Sequence, residues 1–95
     1  MAKPIGADKE RKVRHLDEAL GAELTQLRTR RRWTQLKLSE IAGYDESYIR
    51  QLERGTKSAT LRTLSDLASA FSISVSGLIK RAEGRLPKKS APKDP

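Results

Sequence analysis

From about residue 16 onward, the apolar positions of this chain recur at helical spacing in short blocks separated by polar breaks. Leu20, Leu24 and Leu27 form the first stripe, at i, i+4 and i+7. Leu38, Ile41 and Ala42 form the second, with apolar Leu36 before it and Tyr44 after it. Ile49 and Leu52 form the third. Leu61, Leu64, Leu67, Ala68 and Phe71 lie on the inner side of a fourth block, and Val75, Leu78 and Ile79 mark a fifth. Each block has one apolar and one polar face, as an amphipathic helix requires, and no block alternates with period two as a half-buried strand would. The pattern predicts an all-α fold, a compact bundle of about five helices.

The breaks carry helix punctuation. Thr34 stands just before a helix opening at Gln35, and Asp45 just before one opening at Glu46, where side-chain oxygens can accept from free amides of the first turn. Thr60 and Ser74 take the same place before the fourth and fifth helices. Gly43 and Gly55 end the second and third, where a left-handed residue is needed. The first helix is expected to start near Leu16 or Asp17, with Asp17 and Glu18 at its positive end and Arg28, Arg30, Arg31 and Arg32 at its negative end. The fifth is expected to run to about Ala82, with Gly84 ending it.

Composition narrows the possibilities. With 95 residues the chain makes one domain plus tails, with a small core and little room for a catalytic cleft. There is no cysteine, so disulfides and thiolate metal sites are excluded, and the single His15 makes no zinc site with its neighbours. No nucleophile–base pair, metal cluster or phosphate loop is present, which argues against an enzyme. No cofactor or small-molecule ligand is expected. No apolar run reaches membrane length and no signal peptide is visible, so a cytoplasmic location in a bacterium is expected. The net charge is +8: +3 in residues 1–15, +1 in 16–32, +2 in 33–82 and +2 in 83–95. Most of the excess lies in the tails. Such a balance suits a polyanion such as DNA, and equally a small protein kept soluble by charge. Residues 1–15 are expected to form a flexible basic arm or to extend the first helix, the run from Lys9 to His15 being the candidate. Residues 16–82 form the domain, and 83–95, with prolines at 87, 92 and 95, form a disordered basic tail.

Helix, glycine, short turn and helix over Trp33–Gly55 is the layout of a helix-turn-helix, whose second helix lies in the DNA major groove. At these residues the chain resembles the lambda-repressor-like, or Xre/Cro, family: Gln35, Leu38, Gly43, an apolar Tyr44, Ile49, Leu52 and the ending Glu53-Arg54-Gly55. The resemblance extends from Leu16 to Ala82. It implies double-stranded operator DNA as partner, a transcriptional regulator acting as a homodimer, and Glu46, Ser47 and Gln51 as the main base-reading positions. It also implies an ion pair between Arg28 and Glu53 that clamps the first helix to the recognition helix. Three positions depart from the family: Arg32 and Ser39 where glycine and alanine are common, and Ala59 where proline is. Arginine is uncommon in a left-handed conformation, so the turn at Arg32 is expected to differ. Ser39 fits a close helix contact if its hydroxyl bonds back to a main-chain carbonyl.

The polar side of the second motif helix carries Glu46, Ser47, Tyr48, Arg50, Gln51 and Arg54. Gln can pair with adenine, Arg with guanine and Glu with cytosine N4. Tyr48 stacks on sugar or thymine methyl, or packs the helix; Arg50 reaches base or backbone. Gln35, at a helix N-terminus, and Arg54, Lys57 and Ser58 are placed to hold phosphates. Val75, Leu78 and Ile79 are candidates for a dimer interface, the alternative being that they close the core of a monomer. Two other functions stay open: an antitoxin or restriction–modification controller acting on its own operon, and a protein-interaction adaptor that kept the fold without binding DNA.

Overall fold

The computed structural model describes residues 5–86. It has five helices: α1 (Ile5–Arg30), α2 (Gln35–Ala42), α3 (Glu46–Arg54), α4 (Leu61–Ala70) and α5 (Val75–Glu83), with no strand among the described residues. The helical alternative for the Lys9–His15 run is the one the backbone takes: α1 starts at Ile5, well before Leu16. Residues 1–4 of the expected arm and 87–95 of the expected tail lie outside the described residues.

Helix α1 is the spine. It packs against α3 and α5, while α2 lies against α3 and α4, and α4 against α5. Leu24, Leu38, Ile49, Leu52, Leu67, Phe71 and Leu78 are completely enclosed between these elements. Each such side chain contributes roughly 1.5–3 kcal/mol by leaving water. Ser39 is buried where α2 meets its neighbours, and its hydroxyl donates to the Leu36 carbonyl at 2.7 Å, as its position required.

Two apolar residues expected inside are outside, Ile41 (43% exposed) and Leu61 (79%), and Leu36 (50%), two residues before Leu38 and off its face, is exposed as well. The eight-residue α2 has room for one inward face, and Leu38 with Ser39 fills it. Leu61 is the first residue of α4, and helical side chains lean toward the N-terminus, which carries this one past the end of the packed layer. Conversely, Leu78 is fully buried, so of the three interface candidates it belongs to the monomer core, while Val75 and Ile79 are half-buried against that core.

The turns use local chemistry. Thr34, Thr60 and Ser74 accept from the amides of Lys37, Thr63 and Gly77, capping α2, α4 and α5. Asp45 has the extended backbone of a cap residue, but its carboxylate makes no capping bond, contrary to the sequence expectation. The turns after α1 and α4 are near copies. In each, the third residue past the helix bonds its amide back five positions (Trp33 to the Arg28 carbonyl, Ile73 to that of Ala68), and the residue before it is left-handed. Those residues are Arg32 and Ser72, both at φ 58°. The turn at Arg32 therefore keeps its shape and carries the strain of a side chain there. Arg31 ties the two turns together: its guanidinium donates to the Phe71 carbonyl at 2.9 Å and covers the Trp33 and Phe71 rings, themselves stacked at 5.6 Å.

The chain does not leave the body at residue 83. Leu86 packs against the core, and the Arg85 guanidinium donates to Glu23 at 2.8 Å and also to Gln26. Glu23 is 5% exposed, and Arg81 approaches its other oxygen at 3.9 Å.

Candidate nucleic-acid interface

Helix α3 is short, but its two faces are sharply divided. Ile49 and Leu52 point into the core, and the opposite flank meets solvent. On that flank Ser47, Gln51 and Arg54 are exposed, and their side chains make no hydrogen bond or ion pair among the described residues. Glu46 and Arg50 face each other at 3.9 Å with about two-fifths of each side chain exposed. An exposed pair one turn apart is worth a few tenths of a kcal/mol, so it opens at little cost when a better partner arrives.

What fixes this flank in space is a polar cluster at the base of the helix. The Arg28 Nε and Nη2 donate to the two Glu53 carboxylate oxygens at 2.7 and 3.0 Å. Its Nη1 donates to the Trp33 carbonyl at 2.8 Å. Both side chains are mostly buried, 13% and 5% exposed. The hydrogen-bonded Glu53 carboxylate raises the pKa of Arg28 and outweighs the lowering from burial, so the guanidinium stays charged. The ion pair implied by the resemblance is therefore present, in the two-pronged geometry that best fixes orientation. Gln35 joins it: its amide nitrogen donates to Glu53 at 2.9 Å. The side chain expected to hold a phosphate is turned inward here, leaving one amide hydrogen and the carbonyl uncommitted.

Three further candidates have internal partners. Ser58, itself exposed, donates to Asp17 at 2.6 Å, tying the loop after α3 to α1. Tyr48 takes the packing alternative: its ring is 5.4 Å from that of Tyr44, and its hydroxyl lies 3.4 Å from that of Thr63. Lys57 places its ammonium 6.0 Å from the Tyr48 ring centre and is otherwise exposed. Tyr44, in the turn between the motif helices, donates to Asp66 on α4 at 2.6 Å, and this bond holds the phenol above its ordinary pKa. The geometry thus gathers Ser47, Gln51, Arg54 and Lys57 on the open side, with Glu46 and Arg50 beside them. It sets Gln35, Tyr48 and Ser58 to internal work.

Sequence reading missed the buried Glu23 with Arg81 and Arg85, although the signal was available. Positions 20, 23, 24 and 27 complete a helical stripe, so a carboxylate at 23 has to be buried and needs a cation. It also passed over Gly21, which lies directly against the backbone at the end of α3. Among the described residues no group of side chains is arranged to hold a metal, and no helix is long and apolar enough to cross a membrane.

Five helices around one apolar core, with α3 pinned to α1 by the Arg28–Glu53 pair and showing its polar flank to solvent, define a helix-turn-helix protein of the DNA-binding class. The comparisons with known proteins agree. A helix-turn-helix family model matches residues 24–78, and the chain belongs to this family, the Xre or lambda-repressor-like group of DNA-binding regulators, which are not enzymes. Among solved structures it is similar to the clp gene regulator ClgR from Corynebacterium glutamicum. One crystal structure of ClgR is 33% identical, covers 73% of each chain and has a TM-score of 0.68. Another is 32% identical, covers 76% of this chain and 92% of that one, with a TM-score of 0.71. The restriction–modification controller C.AhdI from Aeromonas hydrophila is 32% identical over 65% of this chain and 94% of its own, with a TM-score of 0.63. No match is found among curated proteins.

Proposed function

We propose that this protein is a bacterial transcriptional regulator that reads operator DNA as a homodimer and represses by occupying the promoter. Helix α3 lies in the major groove. Ser47 and Gln51, with Glu46 and Arg50 once their mutual pair opens, meet base edges, and Arg54 and Lys57 hold backbone phosphates. Gln35, Tyr48 and Ser58 serve by holding the reading helix and its loop in place. The observation that carries this reading is the division of α3: a polar flank of uncommitted side chains on a helix pinned from behind by Arg28 and Glu53.

A single reading helix spans few base pairs, so useful selectivity requires two, on half-sites about one helical turn (~34 Å) apart. Val75 and Ile79 on α5 are the remaining candidates for the joint. Selection of bound duplexes from a random pool tests the whole proposal, the expected product being an inverted repeat. A pool recovered without sequence enrichment would overturn it. Sedimentation equilibrium tests the joint: a dimer that Ile79→Glu converts to monomer supports α5. A monomer at all concentrations, with or without DNA, excludes it.

The similarity to C.AhdI, described as a restriction–modification controller, supports a second reading, control of the operon that encodes the protein itself. The same selection separates the two readings once the recovered site is located: upstream of the protein's own gene for self-control, elsewhere for a regulator of other genes.

A further inference from the structure

Helix α1 passes beneath the last turn of α3 at a bare glycine. A Cβ on Gly21 would stand 2.4 Å from the Glu53 carbonyl oxygen, 2.5 Å from that of Leu52 and 2.8 Å from the Glu53 carbonyl carbon. All three are backbone atoms, which cannot swing aside as a side-chain end can. Nothing about the conformation of α1 calls for glycine here: Gly21 lies inside the helix with no left-handed backbone, and glycine is a poor helix former. The residue is explained by proximity alone. One turn earlier the same two helices touch again. A Cβ on Gly55, just past α3, would stand 2.8 Å from the Glu18 Cα and 3.0 Å from its nitrogen. The carboxyl end of the reading helix is therefore seated directly on the α1 backbone at two points, with the Arg28–Glu53 pair beside them.

We infer that Gly21 is a specificity-determining positioning residue. It touches no DNA; it sets how far the reading helix stands from the body and how it is rolled, and through that whether Ser47 and Gln51 reach base edges. This rests on the DNA-reading function proposed above. The size of the effect follows from the contact. Restoring an ordinary separation of about 3.4 Å means moving the end of α3 by about 1 Å, and a hydrogen bond lengthened from about 2.9 Å by that amount is no longer one. Phosphate attraction falls off over roughly 10 Å and hardly notices such a shift. Displacing the seat should therefore remove base reading and leave charge-driven binding in place.

The test compares Gly21→Ala with two controls, each measured for affinity to the selected operator and to an unrelated duplex. Ala22→Gly changes helix propensity at the exposed neighbouring position, and Leu67→Ala weakens the core away from the seat. Arg32→Gly and Ser72→Gly, which relieve the two left-handed positions, supply a more stable background in which Gly21→Ala can be studied folded. The expected result is that Gly21→Ala lowers the ratio of operator to unrelated affinity by about tenfold or more. Its affinity for the unrelated duplex should stay within about twofold, its salt slope should be unchanged, and both controls should keep the wild-type ratio. Unchanged discrimination in folded Gly21→Ala overturns the inference, as does an equal loss in Leu67→Ala, which would make stability the cause. If the wild-type protein prefers no sequence, the functional reading itself fails, a different outcome from either.

Discussion

Glu53 shows how much a single side chain can organise. Its two oxygens receive three donors, two from Arg28 and one from Gln35, and it is 5% exposed. Removing it leaves a largely buried guanidinium without its counter-charge. Glu53→Ala is expected to cost on the order of 3 kcal/mol, seen as a fall in the thermal midpoint of well over 10 °C at about 4–8 °C per kcal/mol. A midpoint within about 2 °C of wild type would mean the pair contributes nothing. Arg32 presents the opposite case, a residue working against its backbone at φ 58°. Arg32→Gly is expected to stabilise by about 1 kcal/mol, measured in the same melting experiment, and a lower midpoint would show that the arginine side chain makes up for its strain elsewhere. At this scale the sequence was readable wherever chemistry is local. Thr34, Thr60 and Ser74 cap as their positions foretold, because a cap needs only an oxygen three residues from an amide. Asp45 has the same backbone and no such bond, a matter of side-chain rotamer that residue type does not decide.

Among the elements, α1 does more than its sequence announced. The stripe of Leu20, Leu24 and Leu27 was visible, yet the carboxylate between them was not assigned a partner. That partner is Arg85, from the far end of the chain, and no local pattern links the two. Arg85→Ala is expected to cost about 2 kcal/mol, the value of a hydrogen bond to a charged group that is left short of donors, with Arg81 at 3.9 Å offering partial relief. Chemical denaturation measures it as a lower midpoint with an unchanged slope. A stability equal to wild type would mean that the segment after α5 is not holding α1. The exposed Leu61 makes a related point: periodicity assigned it to the inner face of α4 correctly in angle, but the helix end lies beyond the layer that could cover it.

For the molecule as a whole, the number and order of the helices and the limits of all but α1, which begins at Ile5, followed from periodicity and punctuation, and the family followed from the residues of Trp33–Gly55. What periodicity leaves undecided is which distant side chains meet. That is why sequence alone does not show that Gln35 and Ser58, expected to hold phosphates, and Tyr48, expected to stack on DNA or pack the helix, also bond to Glu53, Asp17 and Thr63. The charge points the same way: residues 33–82 carry only +2 of the total +8, so bulk attraction alone would make this domain a weak and indifferent binder. Selectivity has to come from the α3 flank. The central claim is therefore that Gln51 reads bases while Lys57 holds backbone, and it is tested by titrating both alanine variants with the selected operator and an unrelated duplex across a salt series. Gln51→Ala is predicted to lose about 1–3 kcal/mol on the operator alone, with the salt slope unchanged. Lys57→Ala is predicted to weaken both duplexes alike and to lower the slope by about one. Equal losses by both variants on both duplexes would contradict it.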